Sequence, residues 1–290
     1  MNHYNTPAEI GAMMLTTSEK KANMALRDLI VLGILAGAYV AMAGNLSTVV
    51  TADLGQYVGA GLSKFLAGSV FSMGLTLVVI GGGELFTGNA LMIIGLLSKR
   101  ITARQLVRNW IVVYLANFLG SLVVAALVYL SGLWKTEGGL VGARFALTAH
   151  AKVSLPFVAA MVRGVFANWL VCLGVWLAMA SRDVAGKILA IYFPVMAFVA
   201  CGHEHSIANQ FTVPMGIALK GQPALQEALA GANLAQLNWG SFVIRNLVPV
   251  TLGNIIGGAC FVGALYWYVY LAPTGVEQCV DTTRVQKGRH

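Results

Sequence analysis

Apolar residues run along this chain in long blocks instead of alternating with polar ones. Residues 29–50 and 109–130 carry no charge, residues 164–181 lie uncharged between Arg163 and Arg182, and residues 246–276 form a fourth, longer block. A helix of about 20 apolar residues crosses a bilayer, so each block predicts one span, the fourth tilted or protruding. Two further blocks are interrupted. Residues 65–83 are apolar up to Gly81-Gly82-Gly83-Glu84, and 85–98 resume; residues 188–202 are apolar up to His203-Glu204-His205, and 206–219 resume. Glycines and ionisable groups in the middle of a block predict a helix broken at mid-depth. The pattern as a whole predicts an all-α integral membrane protein with six transmembrane helices, two of them broken.

Composition agrees with that pattern. The chain is 58% hydrophobic and 10% charged, with a mean hydropathy of +0.74 and 33 glycines. Soluble domains carry about a quarter charged residues, and glycine is more frequent in membrane helices. The net charge of +8 does not point to nucleic acid, because the basic residues flank apolar blocks and form no aromatic-interleaved patch. With the N-terminus inside, the inner segments hold twelve Lys and Arg and the outer ones seven, which places both termini in the cytoplasm of a bacterial inner membrane. Residues 1–27 lack a cleavable signal pattern, so the first span is expected to serve as its own insertion signal. This gives a cytoplasmic N-terminal segment at 1–28, a channel domain at 29–271 and a cytoplasmic tail at 272–290. Within residues 6–21, Ile10, Met13 and Met14 are spaced as in an amphipathic surface helix; a passive tail is the alternative. Cys172, Cys201 and Cys260 lie in apolar blocks, and none of the four cysteines, Cys279 included, forms a C-x-x-C pair. They read as small buried hydrophobes.

The chain also repeats itself. Gly82 to Asn89 and Gly202 to Asn209 both read G-x-E-x-x-x-x-N, 120 residues apart. Arg108-Asn109, Asn117 and Gly120 recur as Arg245-Asn246, Asn254 and Gly257, 137 residues apart. Each half, about 29–132 and 156–271, then holds three spans with the middle one broken. Three is odd, so the second half inserts upside down, the inverted-repeat plan in which binding occurs at the midplane.

Broken helices persist in a membrane only where they are buried in protein or line a cavity. A break exposes a helix N-terminus, whose free N–H groups and partial positive charge favour an anion. Thr87 and Ser206 stand where they would cap the resuming helices. His205 lies inside the second break and exchanges protons near neutral pH, which makes it the principal candidate for function. Glu84 and Glu204 require partners if buried, from Arg108 and Arg245 or from Asn89 and Asn209, and are expected to brace the breaks. His203 is expected to point away from His205. Two histidines at i and i+2 share no helix face, so no metal is expected. No G-x-S-x-G or G-x-x-x-x-G-K stretch is present, so neither nucleophilic catalysis nor nucleotide hydrolysis is expected, and no cofactor. A membrane electron-transfer subunit would need haem-ligating histidines on separate helices. A neutral-solute pore would have no use for a midplane histidine.

The stretches 83–89 and 204–209 resemble the two signature loops of the formate/nitrite transporter family, and 249–258 and 167–173 resemble its last and fourth helices. The resemblance covers roughly 29–271. It implies an aquaporin-like protomer, one pore each, in a homopentamer that carries a small monovalent anion: formate, nitrite or hydrosulfide. Residues 202–209 followed by Val213-Pro214-Met215-Gly216-Ile217 look closest to formate members. It further implies a central His205 supported by Thr87, apolar constrictions formed by Phe71, Leu75, Leu85, Phe86, Phe198 and Val171, and an anion-attracting Lys152 in a vestibule with Asn168 nearby. Residues 6–21 would match a cytoplasmic helix tied to pH-dependent gating. His203 stands where the family often has an aromatic or aliphatic residue.

Overall fold

A computed structural model describes residues 4–272. Among these residues the chain is helical throughout, with a single isolated bridge between Tyr4 and Ser181. Helix α1 (Pro7–Ala22) opens on a capping box in which Thr6 and Glu9 satisfy each other's backbone N–H groups. It lies against the bundle, with Ile10, Met14 and Ser18 buried. The N-terminal segment is therefore a helix, as one of the two sequence readings has it. The proposed tail lies outside the described residues.

The main helices are α2 (Leu26–Val50), α3 (Gly55–Phe71), α4 (Met73–Gly81), α6 (Ala103–Ser131), α8 (Phe157–Ala180), α9 (Val184–Ala200), α10 (Ser206–Leu219) and α11 (Trp239–Tyr270). Five stretches are long and apolar enough to cross a membrane: 26–50, 55–81, 103–131, 157–180 and 239–270. Two shorter apolar helical stretches are Gly88–Leu97, which contains α5 (Ile93–Leu97), and α9. Six helices begin before the apolar blocks that predict them. Arg27, Asp28, Arg104, Arg108, Arg163 and Arg245 all lie inside helices, because hydropathy marks the hydrocarbon slab while helices continue into the polar interface. Thr102 and Asp183 supply N-caps outside the blocks. A further helix, α7 (Leu140–Val153), follows no long apolar block and was not expected from the pattern.

Small residues set the packing. A side chain at Gly37 would run into the Asn117 backbone and one at Gly120 into the Ile34 carbonyl, so α2 and α6 touch backbone to backbone. The same occurs between α8 and α11, where Gly253 meets the Met161 carbonyl and Gly257 the Val165 carbonyl. Close approach through small residues is how helices gain dispersion contacts in lipid, where no hydrophobic force drives them together.

Both breaks begin alike. Gly82 and Gly202 adopt φ of +87° and +73°, a left-handed geometry that glycine reaches without strain. Gly83 N–H then bonds the Val78 carbonyl, and His203 N–H the Phe198 carbonyl, closing each helix in a Schellman-type turn. The chain then leaves the helix axis: Glu84 N–H bonds Leu32 O on α2, and Glu204 N–H bonds Arg163 O on α8. Of the cysteines, Cys172 is buried, but Cys201 and Cys260 are exposed on this chain, correcting the expectation for those two. Outward positions of a membrane protein are as apolar as its core, so apolarity does not locate burial.

If the α2–α6 crossing depends on backbone contact, Gly120→Val forces the helices apart at a cost of about 1–3 kcal/mol, whereas Gly221→Ala, which meets no atom within 4 Å, does not. In detergent, thermal unfolding of the Gly120 variant is expected several degrees below wild type and that of the Gly221 variant within about one degree. Equal shifts would refute the close-packing argument.

Candidate functional site

The backbone freed at each break is held mainly by one asparagine. Asn117 Nδ2 donates to Gly33 O (2.7 Å) and Glu84 O (2.9 Å), and its Oδ1 accepts from Phe86 N–H (3.0 Å). Asn254 repeats this, donating to Gly164 O (2.8 Å) and Glu204 O (3.0 Å) and accepting from Ser206 N–H (2.9 Å). Each side chain thus satisfies two backbone groups of its break that would otherwise be orphaned in an apolar interior, and ties them to a carbonyl of the neighbouring helix.

The two glutamates sit in matching cages. Glu84 accepts from Lys21 Nζ (2.6 Å) and Asn89 Nδ2 (2.8 Å), and Asn89 donates again to Asn109 Oδ1 (2.8 Å). Glu204 accepts from Lys152 Nζ (3.0 Å) and Asn209 Nδ2 (2.7 Å), and Asn209 donates again to Asn246 Oδ1 (2.8 Å). Both carboxylates are buried, and a buried charge persists only when paired and hydrogen-bonded. Lysines, not Arg108 and Arg245, are therefore the counter-ions. Arg108 instead donates to Met24 O (3.4 Å). Lys21 lies in the last turn of α1 and Lys152 in the last turn of α7, so both helices belong to the site. Sequence reasoning missed Lys21 because it looked for partners at the edges of the later apolar blocks and not in the N-terminal segment. The available signal was a constant spacing of 131 residues, which relates Lys21 to Lys152 and Gly33 to Gly164.

Between the breaks, Thr87 Oγ1 lies 2.9 Å from His205 Nε2. His205 Nδ1 accepts from Ala208 N–H at 3.1 Å, so His205 is the N-cap of α10. That contact occupies the Nδ1 lone pair and leaves the proton of the neutral ring on Nε2, directed at Thr87. The expected capping roles are corrected accordingly. Ser206 is the first residue inside α10, and its hydroxyl makes no hydrogen bond among the described residues; only its N–H is engaged, by Asn254. Thr87 caps nothing with its side chain and precedes a 3-10 turn (Gly88–Met92). The residue equivalent to His205 in the first break is Leu85, which has no acceptor to offer a helix N-terminus, so that helix starts as a tight 3-10 turn.

Thr87 is held from behind by its carbonyl, which accepts from Asn168 Nδ2 (3.1 Å) and Cys172 Sγ (3.4 Å). Asn168 also donates to Asn254 O (2.6 Å). It thus belongs with Thr87 and not beside Lys152. Phe198 stacks on His205 with centroids 5.8 Å apart and meets Phe71 edge-on, also at 5.8 Å. Leu75, Leu85 and Val171 are buried in the same apolar cluster. Phe86 is buried in that cluster as well; its ring also packs on Tyr114 and Trp110 and with them lines a separate outer cavity of about 280 Å³.

A vestibule of about 530 Å³ leads to this region. Its inner end is Phe71, Phe198 and His205, and its walls include Lys64, Arg144, Lys152 and Arg163 against the single carboxylate of Glu204. His203 also lines it; its ring stacks on Phe166 at 5.2 Å, whereas that of His205 stacks on Phe198. Among the described residues no group of three His, Cys, Asp or Glu is placed to hold a metal ion.

Comparison with known proteins agrees with this architecture. A probable formate transporter of Methanothermobacter thermautotrophicus is 42% identical over 283 residues, covering 92% of this chain and 98% of the relative. The formate channel FocA of Escherichia coli (strain K12) is 40% identical over 244 residues, covering 83% and 85%. Among solved structures, a pentameric formate channel with formate bound superposes with a TM-score of 0.79 at 40% identity, covering 85% of this chain and 98% of that one. A channel described as an FNT family ion channel superposes at 0.75 with 28% identity, covering 90% and 98%. The sequence profile of the formate/nitrite transporter family matches residues 8–268, nearly the whole described chain, and with these relatives it establishes that the protein belongs to the formate/nitrite transporter family.

Proposed function

We propose that this chain is a multi-pass channel for the anions of small weak acids, formate foremost, with Thr87 and His205 as its central site. The observation that carries the reading is the 2.9 Å contact between Thr87 and His205 at the dry end of a cationic vestibule. The proposed arrangement has six spans: α2, α3–α4 continued beyond its break, α6, α8, α9 continued as α10, and α11. The two matched break networks support an inverted, aquaporin-like repeat. The pentameric assembly of a structural relative supports a homopentamer with one pore per protomer. The excess of Lys and Arg supports cytoplasmic termini and a bacterial inner membrane.

The mechanism follows from the cost of dehydration. A bare anion entering an apolar passage loses its hydration, which is far more expensive than moving the neutral acid. The vestibule raises the local anion concentration through Lys64, Arg144 and Arg163. Lys152 alone contributes little at long range, because Glu204 neutralises it at 3.0 Å. The anion takes up a proton, and the neutral acid passes Phe71 and Phe198. At the centre, Thr87 Oγ1 accepts from His205 Nε2–H, which frees the threonine's own hydrogen for the solute. Leu75, Leu85 and Val171 line the apolar stretch beyond. The acid then releases its proton to water on the far side, so solute and proton cross together.

Uptake of labelled formate, nitrite and hydrosulfide into proteoliposomes at pH 5.5 and 7.5 tests this reading. Formate uptake faster at the lower pH, and reduced at least about tenfold by Thr87→Val and by His205→Asn, is expected. Wild-type flux in both variants would refute the central site; no flux of any of the three in wild type would refute the function.

The electrostatic role separates from the structural one. Lys64→Gln and Arg144→Gln each lower uptake at subsaturating formate in about 10 mM salt, and the deficit closes near 0.5 M, where the screening length is only a few ångströms. Lys152→Gln instead strands the Glu204 charge and is expected to reduce the yield of folded protein at any salt concentration. A salt-independent deficit at Lys64 and Arg144 would refute charge steering.

A further inference from the structure

We propose that His203 is the proton-exchange residue of the vestibule, transferring a proton to the incoming anion before it meets Phe71 and Phe198; this rests on the weak-acid channel reading above.

The two histidines of the second break differ in what their ring nitrogens are free to do. In His205 both are engaged, Nδ1 by Ala208 N–H and Nε2 by Thr87, and the residue is 3% exposed. Its cap is lost if Nδ1 takes a proton, so it is poorly placed to cycle one. His203 is half-buried and lines the open vestibule, and neither ring nitrogen makes a hydrogen bond among the described residues. The ring is nonetheless held in place: its backbone N–H is fixed to Phe198 O at 3.0 Å, and it stacks on Phe166 with planes 17° apart. An imidazole fixed by its face and open at its edge is suited to proton exchange, and stacking on an aromatic face tolerates the charged form.

The charged groups around it suit the same task. Arg163 on α8 and Lys152 and Arg144 on α7 line the cavity with it, as does Lys64 on α3; Glu204 follows it in the chain, and His205 lies two residues on. The cations bring the anion to the ring and, by repelling the imidazolium, favour its giving up the proton. Protonated His203 gives its N–H proton to the carboxylate oxygen of the solute, which becomes the neutral acid. The neutral imidazole then recovers a proton from vestibule water. No electrons move, and each turnover consumes one proton from the vestibule side.

Formate uptake into proteoliposomes from pH 5.0 to 8.0 tests the proposal with purified, monodisperse wild type, His203→Phe, His203→Gln and His203→Lys. Phenylalanine preserves the stack on Phe166, and glutamine covers the case in which phenylalanine disturbs the fold. In wild type, uptake rises toward low pH. In the Phe and Gln variants, the ratio of uptake at pH 5.5 to that at pH 7.5 is expected to fall at least about threefold. Lysine carries charge at every pH but does not exchange protons in this range, and its ratio is expected to fall likewise, without a wild-type acid-limb rate at pH 7.5. An unchanged ratio in both Phe and Gln variants overturns the proposal and leaves the channel reading intact. A lysine variant that reaches the wild-type pH 5.5 rate at pH 7.5 also overturns it, showing that His203 acts through charge alone. No formate uptake by wild type overturns the channel reading and the proposal together.

Discussion

Everything in this fold depends on keeping two stretches of non-helical backbone satisfied deep within an apolar body. An unpaired N–H or carbonyl at that depth costs several kcal/mol, and each break frees several. The sequence meets this with amides rather than charges. Asn117 and Asn254 each span three backbone groups, a task suited to a side chain with two donors and an acceptor and no net charge. The glycine contacts serve the same end. Asn117 is able to reach Gly33 O on the neighbouring helix because α2 and α6 touch backbone to backbone, and Asn254 reaches Gly164 O across the equally close α8–α11 contact.

The buried ion pairs follow from that constraint. Once the chain turns out of the helix at Gly82 and Gly202, the next turn presents a carboxylate to the interior. Each carboxylate receives one ammonium and one amide donor from Asn89 or Asn209. The ammonium comes from the end of a helix that lies beside the main spans, so α1 and α7 are locked to the breaks by charge as well as by packing. A lysine suits this position because its long apolar stem packs along the helices while the head reaches the carboxylate. Removing either partner leaves an uncompensated charge inside the protein, which is why the pair couples the peripheral helices to the centre.

Much of this was legible in the sequence. Long uncharged blocks marked the long apolar helices, and a glycine one or two positions before a glutamate in two further blocks marked the breaks. The recurrence of Glu and Asn at a spacing of 120 residues located both cages. The errors have physical causes. Helix ends were set too narrow because hydropathy reports the hydrocarbon slab and not the hydrogen-bonded helix. Helix α7, part polar and only 14 residues long, has no transmembrane signature although it carries Lys152. Arginines were favoured over lysines as counter-ions because proximity in sequence stood in for proximity in space. Ser206 was given the cap on residue type alone, whereas His205 one position earlier has an acceptor nitrogen directed at the Ala208 N–H.

The two halves share a scaffold but not a chemistry. Glu84 and Glu204, Asn89 and Asn209, and Asn117 and Asn254 are the same residue in both halves. The residues facing the centre are not. At the 120-residue spacing His205 corresponds to Leu85, and Thr87 corresponds to Ile207. Each half therefore contributes one polar group and one apolar group to two equivalent positions. A fully duplicated pair of histidines would bring two basic rings together, and a duplicated pair of leucines would offer a solute no hydrogen bond. The mixed arrangement leaves a single polar contact, 2.9 Å long, with apolar side chains around it. In the channel proposed above, one donor in a dry surround binds a small acid weakly enough to let it leave, which is what conduction demands of a midplane site.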